Sequence, residues 1–204
     1  MVCLIWSFCY RGVAQPGSAF GSGPKGPQFE SGRPDFGICN RHSTPPQYIT
    51  LMNPANTIQI AVIGGRRSNK KALVSAEEVG ELIASRGWQL ICGGLGGVME
   101  AACKGARNAN GTAIGILPKN NRNKANPYVE IAIATNMGIA RNSIIAHSAD
   151  GAIAIDGKYG TLSEIAHFLQ LGKPVVTLLC NWNIKGTIPV KSPRQAIEIL
   201  EKKL

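Results

Sequence analysis

Two glycine-rich runs and a few charged side chains are the residues of this sequence best suited to chemistry. The run Gly93-Gly94-Leu95-Gly96-Gly97 allows positive φ angles and close backbone approach to a ligand. If a helix starts directly after it, its free N–H groups and partial positive charge favour a phosphate there. The second run, Asp156-Gly157-Lys158-Tyr159-Gly160-Thr161, is followed by Glu164. Lys158 supplies a full positive charge, and Thr161 offers a hydroxyl either to a phosphate or to a helix N-terminus. Thr161 and Glu164 also have the spacing of a capping box. Arg141, beside Asn142, suits bidentate recognition of phosphate or carboxylate. Gly64 and Gly65 end an apolar run and are followed by Arg66, Arg67, Lys70 and Lys71, which read as a solvated basic loop able to draw in an anion. His147 and His167 have no partner by spacing and read as structural.

These residues need a scaffold that brings distant loops to one edge. From Ile58 onward, short apolar runs alternate with helical patterns. The runs IQIAVIGG, WQLICGG, TAIGILP, VEIAIAT, GAIAI and PVVTLL read as six strands. Helices are expected over Ser75–Arg86, with Ser75 as N-cap and Gly87 beyond the end, and over Val98–Asn110, closed by Gly111. Further helices are expected over Met137–Ser148, over Thr161–Leu171 with Gly172 at its end, and from Pro193 to Lys203 with Ser192 as N-cap. Lys119–Tyr128 reads as a polar loop. Strands that are apolar throughout, rather than alternating, imply burial on both faces. The expected fold is therefore α/β, a doubly wound and mostly parallel sheet between helices. Right-handed crossovers put the glycine loops along one edge, where such folds bind ligands.

The first 51 residues differ from the rest. Arg11–Phe36 is dense in Gly, Pro and Ser and has no period, so it is expected to form a disordered tail. Its RGVAQPGSAFGSGPKGPQFESGRPDF stretch resembles the conceptual translation of a tRNA gene, which points to a start at Met52. A true linker after a short anchor is the other reading. Residues 52–204 form the single expected domain.

Hydrophobic residues make up 44% of the 204, enough for a sizeable core. The net charge of +10 raises nucleic acid as a partner, but aromatics are only 6% and no long Lys/Arg run occurs, so small anionic ligands are the favoured explanation. No apolar run reaches the length of a membrane span. Cys3, Cys9, Cys39, Cys92, Cys103 and Cys180 contain no CxxC pair. They read as free thiols in a reducing cytosol rather than as metal ligands, and the chain is expected to be cytoplasmic.

At the two loops, DGKYGTLSE and GGLGGVMEAA, the sequence resembles the Lonely Guy (LOG) superfamily, once labelled lysine decarboxylase-like and related to the DprA/Smf Rossmann-like fold. The resemblance covers Ile58–Leu204 and is nearest to the branch that includes molybdenum cofactor carrier proteins. The LOG loop PGGxGTxxE is altered here, with Asp156 in place of Pro and Lys158 in place of Gly, and its upstream Arg-Lys pair is Arg141-Asn142. The resemblance implies a phosphate site on Gly64, Gly65, Gly93, Gly94, Gly96, Gly97, Gly157, Lys158, Tyr159, Gly160 and Thr161. It also implies Arg141 and Glu164 as the pair that, in LOG phosphoribohydrolases, cleaves the N-glycosidic bond of nucleoside 5′-monophosphates. The carrier branch implies instead non-covalent binding of a phosphorylated pterin, with the molybdenum cofactor as cargo and no metal held by the protein. The missing Lys and the altered glycines favour the carrier reading over the hydrolase. The family further implies a homodimer or homotetramer.

Overall fold

The computed structural model describes residues 57–204, so the expectations for the N-terminal tail, and for Cys3, Cys9 and Cys39, lie outside the described residues. Seven strands form one sheet: β1 (Gln59–Gly64), β2 (Gln89–Cys92), β3 (Ala113–Leu117), β4 (Ile131–Ala134), β5 (Gly151–Ile155), β6 (Val175–Leu178) and β7 (Ile188–Val190). Their spatial order is β4-β3-β2-β1-β5-β6-β7, and every neighbouring pair is parallel. Five helices complete the chain: α1 (Lys70–Ser85), α2 (Val98–Asn108), α3 (Arg141–Ser148), α4 (Tyr159–Gln170) and α5 (Pro193–Lys203). The fold is α/β, doubly wound and Rossmann-like.

The alternation of side chains along each strand separates two cores. Ile60 and Val62 of β1, with Ile153 and Ile155 of β5, pack into the core shared with α1, α2 and α5. Ala61, Ile63, Ala152 and Ala154 face the opposite core, where Ile145, Ile165 and Phe168 of α3 and α4 lie. On the first side, α1 and α2 meet backbone to backbone. A Cβ on Gly80 would strike the Ala102 carbonyl, and one on Gly105 would strike that of Glu77.

Several boundaries differ from the sequence reading. Helix α1 begins at Lys70, because Asn69 rather than Ser75 is the N-cap and its side chain accepts from the Ala72 amide at 2.9 Å. Helix α3 begins at Arg141 after a short 3-10 turn, Gly138–Ala140. Asn136 and Gly138, with φ of 54° and 57°, interrupt the helical path expected from Met137. Helix α4 begins at Tyr159, so Thr161 lies inside its first turn and is buried rather than capping it. Asn110, not Gly111, takes the left-handed conformation after α2. The strand expected to be buried at VEIAIAT is the edge strand β4, and Ile131 and Ile133 are 47% and 45% exposed. Strand β7 was not expected, since its three residues include Pro189 and carry no period; Pro is tolerated there because β7 is the other edge.

Gly87 and Gly172 follow their helices with φ of 70° and 68°, as the C′ pattern predicted. Ser192 caps α5 through the Gln195 amide, with Pro193 in the first turn.

Candidate functional site

The sheet reverses its direction of winding between β1 and β5, and the loops after these two strands diverge to leave a crevice at their C-terminal ends. A cleft of about 500 Å³ lies there. One wall is Gly64-Gly65-Arg66-Arg67 after β1. The other is Asp156–Lys158 with the first turns of α4, and Gly138–Asn142 closes an end. Met99 and Pro118 contribute apolar surface.

The glycines set how closely these loops can approach. Gly157 has φ of 110°, and a Cβ there would press on Thr161. Gly65 faces Gly157 closely enough that its own Cβ would stand 3.5 Å from the Gly157 Cα. Asp156, with φ of 50°, adds a second left-handed residue before α4. This turn leads into a helix N-terminus that no side chain caps, so the first-turn amides of α4 are left for an external acceptor. Lys158 and Gly160 are exposed there, and the Tyr159 side chain points out to solvent at 88% exposure.

The other glycine run has a different position. Gly93, Gly94, Gly96 and Gly97 lie behind the lining of the cleft. Gly97, with φ of 71°, packs under the Gly65–Arg66 backbone, and the Val98 amide donates to the Gly65 carbonyl at 3.0 Å. Gly94, with φ of 67°, sits against Gly115 and Leu117. Gly93 gives room to Arg141: a Cβ there would fall 2.7 Å from Nη1. Only Gly96 is free of close neighbours, with the Glu100 carboxylate 3.4 Å from a would-be Cβ.

Arg141 and Glu164 come together across 23 residues of sequence. Arg141 Nη1 donates to Glu164 Oε1 at 3.5 Å, and both side chains are 8% exposed. Arg141 Nε is buried without a partner. Burial pushes the Glu164 carboxyl up to about 7, against the pull of the Arg141 charge. Burial likewise lowers Arg141, offset by Glu164.

Ser163 was not singled out from the sequence, and Asn142 was noted there only as standing beside Arg141 where the LOG pair has Lys. Asn142 Nδ2 donates to Ser163 Oγ at 2.9 Å, and Ser163 Oγ donates to the Gly160 carbonyl at 2.8 Å. This bridge ties α3 to the first turn of α4.

Arg66 and Arg67 line the cleft, whereas Lys70 and Lys71 are exposed in the first turn of α1. Four cationic side chains thus face two acidic ones, Asp156 and Glu164. His147 and His167 are exposed on α3 and α4, outside the cleft lining. Cys92 and Cys103 are buried free thiols, and Cys180 is half-buried. Among the described residues, no group of three or more His, Cys, Asp or Glu side chains could hold a metal ion.

A family model described as the SLOG cluster4 family matches residues 57–202. A solved molybdenum cofactor binding protein from the phototrophic bacterium Rippkaea orientalis is 37% identical, with 72% of this chain and 96% of that chain covered at a TM-score of 0.68. The molybdenum cofactor carrier protein of Chlamydomonas reinhardtii is 33% identical, with 72% and 97% covered at a TM-score of 0.67. The cytokinin riboside 5′-monophosphate phosphoribohydrolase of Mycobacterium tuberculosis is 35% identical over 102 residues, which span 48% of this chain and 54% of the enzyme.

Proposed function

The chain belongs to the SLOG cluster4 family, and from that membership we propose that its cleft binds a phosphorylated pterin-like or nucleotide-like molecule non-covalently, with the molybdenum cofactor as carried cargo. The observation that carries this reading is the uncapped N-terminus of α4, set beside Arg66, Arg67, Lys158 and the half-satisfied Arg141 in one cleft. A phosphate at that turn would accept from backbone amides and from Lys158, and its charge would offset the local excess of cations. A volume of about 500 Å³ suits a ligand of this size, and Met99, Pro118 and Ile139 offer apolar contact to a ring system. Glycines 93, 94 and 97 act in this reading by bracing the β1 loop and seating Arg141. The likeness to a cofactor binding protein and a cofactor carrier over nearly their whole lengths supports the same cargo.

The hydrolase reading draws on Arg141 and Glu164 and on the resemblance to the phosphoribohydrolase. N-glycosidic cleavage builds positive charge on the ribose, which an ionised carboxylate stabilises. Burial pushes the Glu164 carboxyl up to about 7, so it holds its proton more readily than an exposed carboxyl does. Asn142 spends its amide on Ser163, where the resembling hydrolases have a Lys. Both features favour binding over turnover.

Mass spectrometry of the small molecule that co-purifies with the protein, together with calorimetry using GMP and AMP, tests the binding reading. A phosphorylated pterin or nucleotide is expected; the absence of any phosphorylated ligand, with no heat on titration, would remove it. Chromatography of free base released from GMP and AMP separates the alternatives. Release near background is expected for wild type and for Glu164→Gln. Robust release that drops by about 100-fold or more in Glu164→Gln would establish the hydrolase instead.

A further inference from the structure

The loop Gly93–Gly97 is attached to two sulfurs that neither reading of the cleft uses. Cys92 ends β2 and Cys103 lies in α2, and their Sγ atoms are 3.4 Å apart. Both lie in the hydrophobic core, and each has one polar contact besides the other sulfur. The Gly94 amide donates to Cys92 Sγ at 3.2 Å. Asn126 Nδ2 lies 3.8 Å from Cys103 Sγ and also donates to the Leu95 carbonyl at 3.0 Å, while the Asn126 amide donates to the Gly94 carbonyl at 2.9 Å. The next residue, Gly93, is the seat of the Arg141 guanidinium.

We infer that Cys92 and Cys103 are a site of reversible oxidation by hydroperoxides, and that the disulfide they form loosens the Gly93–Gly97 loop. A disulfide holds its sulfurs about 2.0 Å apart, so the pair must close by about 1.4 Å from its present separation. Closing that gap shifts at least one sulfur, and the shift is expected to disturb the Gly94 amide contact to Cys92 Sγ or the Asn126 contact to Cys103 Sγ. Cys103 is the attacking group. Asn126 Nδ2 faces its sulfur at 3.8 Å, and its thiol is lowered, chiefly by the contact with Cys92 and further by Asn126, while Cys92 is raised by the same contact and by burial. The Cys103 thiolate attacks the distal peroxide oxygen, the O–O bond breaks, and the alkoxide or hydroxide leaves to take up a proton, giving a sulfenic acid. The sulfur of Cys92 then attacks the sulfenic sulfur, the S–O bond breaks, and the Cys92 proton departs with the hydroxide as water. Two thiols and one hydroperoxide thus give one disulfide, one alcohol (or water) and one water. Both thiols are fully buried, so entry of the oxidant follows opening of the loop.

The full chain, reduced and then treated with hydrogen peroxide, alkylated and digested, tests this directly. A tryptic peptide holding Cys92 and Cys103 in an internal disulfide is expected, lighter than its reduced form by two hydrogens and restored by dithiothreitol. Amide hydrogen exchange over Gly93–Gly97 is expected to quicken in the oxidised form. Cys92→Ser should leave the sulfenic acid on Cys103, trapped by dimedone, whereas Cys103→Ser should leave Cys92 unreacted. Where serine disturbs the core, Cys92→Ala serves the same trapping measurement. Recovery of Cys92 and Cys103 as alkylated thiols while Cys180 is oxidised would overturn the proposal, as would a cross-link without any change in exchange or trapping on Cys92 rather than Cys103. None of these readouts depends on what the cleft binds.

Discussion

Glu164 makes the stability of this protein depend on pH in a definite direction. Its carboxyl is raised from the ordinary 4.5 to about 7 in the folded state by burial. The folded form therefore holds a proton that the unfolded chain has lost. This stabilisation is fully present below about 4.5 and disappears as pH rises through 7, a loss on the order of 3 kcal/mol for a shift of this size. Glutamine cannot titrate, so Glu164→Gln is expected to flatten the fall in unfolding free energy between about pH 5 and about pH 8. Urea denaturation of both proteins across that range measures it, and identical slopes would show that Glu164 ionises freely. Gly93 gives a second test at the same scale. Gly93→Ala should push the Arg141 guanidinium off its seat, while Gly96→Ala, whose Cβ meets nothing closer than 3.4 Å, should be tolerated. Calorimetry with GMP is expected to show weaker binding by about tenfold or more for Gly93→Ala and little change for Gly96→Ala. The reverse order would mean that the loop itself contacts the ligand. Both glycines stood in the same run of sequence, and only the position of Arg141 distinguishes them.

At the scale of elements, the turn between β5 and α4 holds two successive positive-φ residues, Asp156 and Gly157. Gly157, with φ of 110°, has Thr161 beneath the position of a Cβ, whereas a Cβ on Gly160 would meet nothing within 4 Å. Gly157→Ala is expected to destabilise the fold by about 1–3 kcal/mol, and Gly160→Ala to be neutral or to stabilise α4 by up to about 1 kcal/mol. Thermal unfolding followed by circular dichroism reads both, and equal effects would contradict the backbone described for this turn. The sequence showed a loop–helix junction here from its glycines. It placed Thr161 at the cap because Thr161 and Glu164 match the capping-box spacing, but the helix begins at Tyr159 and turns both side chains inward. A capping box and a pair of buried side chains leave the same trace in sequence. The same limit shows in α1, where the capping-box spacing put the cap at Ser75 and the structure uses Asn69.

At the scale of the whole molecule, part of the net charge of +10 is matched by local partners among the described residues. Several cations have local partners: Lys104 pairs with Glu77 at 2.8 Å and Arg86 with Glu201 at 3.4 Å. Lys173 Nζ donates to the carbonyls of Ala146, His147 and Ala149 at the end of α3. Arg66, Arg67, Arg141 and Lys158 converge on a cleft rather than a stripe. Binding to a DNA duplex, followed by fluorescence anisotropy, is expected to be weak and to fall steeply with salt. Tight, saturable binding at physiological salt would reverse this assignment. No helix among the described residues is long and apolar enough to cross a membrane.

The sequence by itself determined the class of fold and the sheet edge at which its glycine loops lie. Apolar runs such as IQIAVI and GAIAI can only be buried on both faces, and the intervening helical periods then require parallel strands with the glycine loops at one edge. Tertiary structure decided what those patterns leave degenerate. Strand order made β4 an exposed edge although its residues are as apolar as those of β5, because position in a sheet is set by its neighbours and not by composition. It also joined Arg141 to Glu164 and Cys92 to Cys103. Contacts between separate elements depend on helix rotation and register, which local periodicity does not encode.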